Sequence, residues 1–435
     1  MKIRLLAGAA GLVLAGALPA AAQSANSGLL GSAAGLRPAL ASAGITVNIQ
    51  DSENLLGALS GGVRHGATMQ GVTTGTLEVD TGKAFGLAGG TIHVSGLQIH
   101  GRSLSPFYLD DLQAANGNEG DDATRLWELW YDQSFAGGDI KIGQQSIDNE
   151  FISSQYSGLF VNTMAGWPLV PSDDLFGGGP AYPLSSLGAR ILAKPGTNAT
   201  ILAGVFDDNP GGGAFSEDAQ ALDAAGARFN SNTGALFIAE LQYTAQPFGL
   251  AGTYKIGLWY DTGGFPDQEY GADGRSLADP DSDGQPNYHH GNDSLYGVVD
   301  QTVWQSKADS ARGANVFARI MGAPGDQNLI DFSFNGGVTM TAPLSGRDND
   351  SAGLDMGLGQ VSHRARNLDR DAGLPVRGTE ALIELTYQAQ IMPWLILQPD
   401  LQYVVNPGGG LIDPGDPPSR LHNELIAGLR AVVTF

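Results

Sequence analysis

Charged and amide side chains recur at alternate positions along separate parts of this chain. Glu128, Asp132, Arg190, Lys194, Glu240, Arg319, Glu384, Gln398, Asp400 and Arg430 all fall on the polar side of such segments. They do not set a nucleophile beside a base. Spread this way, they form a polar surface able to replace a solute's hydration and release it again. The competing reading is that they solvate a wide interior or pair across strands. Signatures of bond chemistry are thin, since neither GxSxG nor HExxH occurs. A Ser–His pair assembled only by folding would escape such motifs, so a barrel enzyme stays as the remote alternative. With no cysteine, disulfides, thiolate metal sites and a cysteine nucleophile are excluded. The run Asp279-Pro-Asp281-Ser-Asp283-Gly284 has the form of half a calcium loop, but His290 stands where a bidentate Glu is needed. An acidic turn is the plainer reading. His289 and His290 have no evident third ligand, and no metal or cofactor is expected.

The elements that position these groups have a period of two. At the C-terminus, Leu425, Ala427, Leu429, Ala431, Val433 and Phe435 share one face, opposite Glu424, Gly428, Arg430 and Thr434. Ala381, Ile383, Leu385, Tyr387 and Ala389 alternate in the same way with Glu380, Glu384, Thr386, Gln388 and Gln390. The pattern predicts strands over 56–68, 70–80, 89–102, 124–135, 139–148, 186–194, 199–208, 234–245, 252–262, 294–305, 314–323, 329–342, 350–362, 379–391, 395–406 and 423–435. Segments this long, with apolar faces ending in Tyr, Trp and Phe, suit tilted membrane strands better than a soluble sandwich. Short connections such as 195–198 and 392–394 alternate with long ones rich in Gly, Pro and Asp. The predicted fold is therefore all-β, a transmembrane antiparallel β-barrel of about sixteen strands. An even count puts both chain ends at the short-turn, periplasmic rim. Leu29, Leu30, Ala33, Leu36 and Leu40 repeat at helical spacing, which predicts a short N-terminal periplasmic helix despite Pro38.

Residues 1–22 read as a secretory signal peptide. Lys2 and Arg4 form its basic end, Leu5–Leu18 its apolar run, and Ala20–Ala22 the small-residue cleavage site. Residues 23–55 would then be a periplasmic segment and 56–435 the barrel. Removing the two basic residues leaves 21 basic and 45 acidic side chains, a mature charge of −24. That balance disfavours nucleic acid as a partner. It fits solvated acidic loops, or a field that keeps anions out of an interior. A terminal Phe435 after an alternating strand is the feature that barrel-assembly machinery reads, and the apolar belt implies contact with outer-membrane lipid and lipopolysaccharide. A homo-oligomer is compatible with all of this.

The sequence resembles the carbohydrate-selective, or glucose, porins of Gram-negative outer membranes. The resemblance begins at RLWELWYDQSF (125–135) and continues through GQQSIDNEF (143–151), FVNTMAGWP (160–168) and AYPLSSLG (181–188). It returns at YKIGLWYDTGGF (254–265) and is densest at TEALIELTYQAQIMPWLILQPDLQYVVNPGG (379–409). It implies a sixteen-stranded barrel passing small sugars such as glucose by passive diffusion. A general porin, or one for polyols and small organic solutes, is the alternative. On this reading the alternating Arg, Glu, Asp and Gln residues face sugar hydroxyls, and aromatic rings face apolar sugar faces. The long connection Asn149–Ser185 is unusually aromatic for an exposed loop, which suggests that it packs inside the barrel as the constriction. Packing on the rim or at a subunit contact is the alternative. Within it, Trp167 either stacks on a sugar ring or anchors the loop.

Overall fold

The computed structural model describes residues 28–417 and 419–435. The signal-peptide expectation falls on residues outside that range. Sixteen strands close into one antiparallel barrel, each pairing with its sequence neighbours and the first with the last. They are β1 (Ile45–Ser60), β2 (Gly66–Asp80), β3 (Gly90–Gly101), β4 (Ala123–Phe135), β5 (Gly138–Gln145), β6 (Ser186–Ala193), β7 (Ala199–Asp207) and β8 (Ala235–Ala245). The second half comprises β9 (Gly252–Gly271), β10 (Pro286–Gln305), β11 (Gly313–Gly322), β12 (Ile330–Thr341), β13 (Ser351–Val361), β14 (Thr379–Met392), β15 (Leu395–Val405) and β16 (Glu424–Thr434). Closure pairs Asn54 with Arg430 and Leu55 with Leu429. A closed ladder leaves no strand edge, the condition for β-structure in lipid.

Alternation sorts the side chains. Leu385, Leu401 and Leu429 point outward and are exposed, whereas Glu384, Gln402 and Arg430 point inward and are buried. A helix at Leu36–Ser42 precedes β1. Both ends meet at one rim, where Phe435 N donates to Ile49 O at 2.9 Å and Leu29 N donates to Thr434 O at 2.8 Å.

Two expectations need correction. The wall begins at Ile45, not Leu56, and the segment 56–68 spans the turn 61–65 between β1 and β2. Polar Asp51, Glu53 and Thr73 stand on the outward face of these strands, so the apolar alternation that marks the others is missing there. The strands β9 and β10 also run well past the expected 262 and 294. Their outer halves form a hairpin above the rim, with register shifts after Pro286 and His290. Outside the hydrocarbon no apolar face is required, so the sequence there reads as a loop.

Candidate functional site

The connection Ser146–Ser185 between β5 and β6 folds into the barrel. One side of it is apolar: Phe151, Ile152, Met164, Leu169 and Val170 pack against Phe206, Leu236, Ile238, Trp259, Val298 and Met321 of the inner wall. The neighbouring wall at β13 has made room for it. A Cβ at Gly353 on β13 would sit 2.6 Å from Phe160 Cζ, and one at Gly359 would collide with Leu169. Inward glycines spaced by two on a strand were the available signal for this docking.

The loop backbone is held mainly by the wall residues singled out by alternation. Glu384 accepts from Val161 N (2.6 Å), Asn162 N (2.9 Å) and Asn162 Nδ2 (2.8 Å). Glu240 accepts from Ile152 N at 2.9 Å and from Tyr296 OH at 3.0 Å. Gln398 Nε2 donates to Leu159 O at 2.7 Å. Arg319 donates to Gly166 O at 2.8 Å, to Ile152 O and to Met164 O. Asp300, which sequence reasoning missed, accepts from Ser154 Oγ (2.5 Å) and Gln155 N (3.0 Å). A loop inside a barrel has backbone groups that no strand satisfies, and buried carboxylates and amides satisfy them.

Lower on the wall lies a charged cluster. Arg190 bonds Glu150 (Nε to Oε2, 2.6 Å) and Asp139, and stands 3.5 Å from Asp132. Glu128 accepts from Ser146 N at 3.1 Å. Lys194 takes no part: it lies past the end of β6 in the exposed 194–198 turn. Trp167 donates from Nε1 to Gly178 O at 2.9 Å within its own loop.

A second connection, 102–122, also enters the lumen. Leu112 N and Gln113 N donate to Glu380, each at 2.8 Å. The two loops bond each other through Gly117 N to Val161 O (2.8 Å) and Thr163 N to Ala114 O (2.9 Å). Between them remains a cavity of about 100 Å³, lined by Trp127, Tyr182, Phe160, Trp167, Asn118, Asp148, Asn162 and Arg430. Arg430 Nε donates to Asn54 Oδ1 at 2.8 Å, while its Nη1 is buried without a partner. Trp127 and Tyr182 meet edge to face at 6.1 Å. Burial raises the Asp148 carboxyl above the usual range, against hydrogen bonds from Ser146 and Tyr182 N. The half calcium loop spends its acids on backbone: Asp281 N bonds Asp279 Oδ1 (2.9 Å) and Gln285 N bonds Asp283 Oδ1 (3.0 Å).

Comparison with known proteins gives a consistent result. The family model described as carbohydrate-selective porin, OprB family, matches residues 64–435. The chain is similar to porin B of Pseudomonas aeruginosa, at 26% identity over 345 residues covering 72% of this chain and 68% of that protein. It is also similar to the putative porin QuiX of Acinetobacter baylyi, at 24% identity over 66% of this chain and 65% of that one. In fold it matches the high-pH structure of Pseudomonas putida OprB with a TM-score of 0.84 at 21% identity, covering 94% of this chain and 99% of that one.

Proposed function

Because the chain belongs to the carbohydrate-selective OprB porin family of outer-membrane channels, we propose that it passes small neutral sugars such as glucose through the cavity between its two inward loops. The observation that carries this reading is the Arg430 Nη1 group, buried and unpartnered in a cavity also lined by Trp127 and Tyr182. A guanidinium donor serves a hydroxyl edge and an aromatic ring serves the apolar face of a pyranose. A site that binds too firmly stops conduction, and a free donor beside rings gives weak, reversible contact. Wall residues Glu240, Arg319, Glu384 and Gln398 act mainly by shaping this passage, since their polar atoms already hold the loop. Glu128, Asp132 and Arg190 set the charge below the constriction. Trp167 lines the cavity while anchoring its loop.

Liposome swelling with glucose, polyols and amino acids of equal size tests the selectivity. Glucose is expected to enter fastest, and equal rates across the panel would favour the general-porin reading. Passage is passive and without turnover, and release of product from any ester or glycoside by purified protein would overturn that part. Residues 1–22 act as a cleaved export signal, and a mature N-terminus at Gln23 is expected by mass spectrometry. Contact with lipopolysaccharide and with barrel-assembly machinery through β16 belongs to the same reading.

A further inference from the structure

At the outer end of β7 the chain leaves the wall through Asp208 and returns at Gly234, just before β8. Beside it, Asp261 of β9 pairs with Leu236 of β8. Asp208 and Asp261 are both 0% exposed. One carboxylate oxygen of each is bonded: Asp208 Oδ1 accepts from Thr233 Oγ1 at 2.7 Å, and Asp261 Oδ1 accepts from Gly263 N at 2.8 Å. The other oxygen of each, Asp208 Oδ2 and Asp261 Oδ2, is buried without a partner. Among the described residues, no Lys, Arg or His forms an ion pair with either carboxylate.

Two glycines shape the space around these oxygens. A Cβ at Gly263 would sit 2.8 Å from Asp208 Oδ2 and 3.0 Å from Asp261 Oδ1, so both carboxylates border one small space. A Cβ at Gly234 would sit 2.8 Å from Asp208 Oδ2 and 2.8 Å from Thr262 Oγ1. Neither glycine has a positive φ, so backbone conformation does not call for glycine at either position. Their missing side chains leave the oxygens uncrowded. Two buried carboxylates with free oxygens on one space are unfavourable unless positive charge lies between them.

We propose that Asp208, Asp261 and the Thr262 hydroxyl hold a calcium ion at the outer rim. The donors are all oxygen, as a hard cation requires. No third acid or His completes a metal-binding group among the described residues, so water fills the rest of the shell. Two carboxylates with water give weak binding, with Kd about 10⁻⁴–10⁻³ M, as in extracellular calcium modules. The ion ties β7 to β9 at the root of the 209–233 connection. It also backs the inward loop, because the same Gly263 Cβ position lies 2.9 Å from Phe176 Cε2, and the Phe176 ring packs on Phe265 at 5.2 Å. Calcium thereby seats the outer end of the constriction.

Protein refolded in detergent without lipopolysaccharide and stripped with EDTA is expected to bind terbium, with emission excited through Trp259, and calcium should displace it. Millimolar calcium should raise the temperature of heat modification by a few degrees. Asp208→Asn and Asp261→Asn should each abolish both signals. Gly263→Ala, which fills the space and keeps both carboxylates, should lose most of the calcium shift. Asp281→Asn, in the half calcium loop, should keep it. Wild-type protein that unfolds at the same temperature in calcium and in EDTA would overturn the proposal, as would a calcium shift that survives Asp208→Asn. Asp261→Asn that unfolds above the wild type in calcium and in EDTA alike would overturn it in favour of a proton shared by the pair.

Discussion

At the scale of single residues, most of the charge inside this barrel is structural. Glu384 and Arg319 each spend several polar atoms on one loop, Glu240 holds it through Oε2, and Arg430 keeps a buried donor free in the lining of the cavity. A hydrogen bond to a charged group contributes about 1.5–3 kcal/mol. Arg430→Gln is therefore expected to weaken glucose block of single-channel current about tenfold or more, and an unchanged block would remove Arg430 from the contact set. Glu119 in the 102–122 loop behaves differently. Burial raises its carboxyl to about 7, against hydrogen bonds from Ser105 and from Leu104 N. The folded loop thus binds the proton more tightly than a solvated Glu does. Its anchoring carries no penalty below pH 4.5. The penalty grows as pH rises from 4.5 to about 7 and is complete above that. Open-channel noise should rise between pH 5 and pH 8 on the order of this titration, and Glu119→Gln should flatten the response.

At the scale of elements, the constriction is two loops bonded to each other and to the wall. Deleting Tyr156–Phe176 removes the loop partners of Glu384 and Gln398 and two of the three loop carbonyls held by Arg319, as well as the bonds of Val161 O and Thr163 N with the 102–122 loop. Conductance should rise severalfold and glucose discrimination should fall, with the barrel still assembled, because the strand ladder contains none of these bonds. A truncated channel that conducts and discriminates like the parent would show that the constriction lies elsewhere. Glu384→Ala is the milder version. It leaves two buried backbone N–H groups unpaired, at about 1–3 kcal/mol each, and should loosen the loop without removing it.

Over the whole molecule, closure and chain ends are one problem. The last strand pairs with β1 and β15, Phe435 N bonds Ile49 O, the Phe435 carbonyl accepts from Arg37, and Leu29 N bonds Thr434 O. Removing Phe435 takes a lipid-facing ring and the end of the final ladder from the site where the barrel must seal. Phe435→Asp is expected to lower outer-membrane abundance several-fold in quantitative blots, while Arg37→Ala should lower the temperature of heat modification and leave abundance near normal. Normal surface levels of Phe435→Asp would separate the terminal ring from assembly.

The period-two pattern of residues such as Ala381–Gln390 was enough to give an antiparallel barrel of about sixteen strands and most of the side chains that face inward, because a membrane wall enforces alternation residue by residue. The same pattern, with its aromatics, picked out Asn149–Ser185 as the loop that had to be packed against something. It could not place β1, whose outward Asp51 and Glu53 obey no lipid rule, nor the hairpin of β9 and β10, which stands in water. Only the tertiary structure decided what the inward charges do. Glu384 and Val161 are far apart in sequence, and no local rule says that a carboxylate will meet a loop amide rather than a solute. It also decided that Lys194 falls outside the wall and that Arg430 keeps a donor free, since both depend on where a strand ends and which neighbours the closed barrel brings within reach.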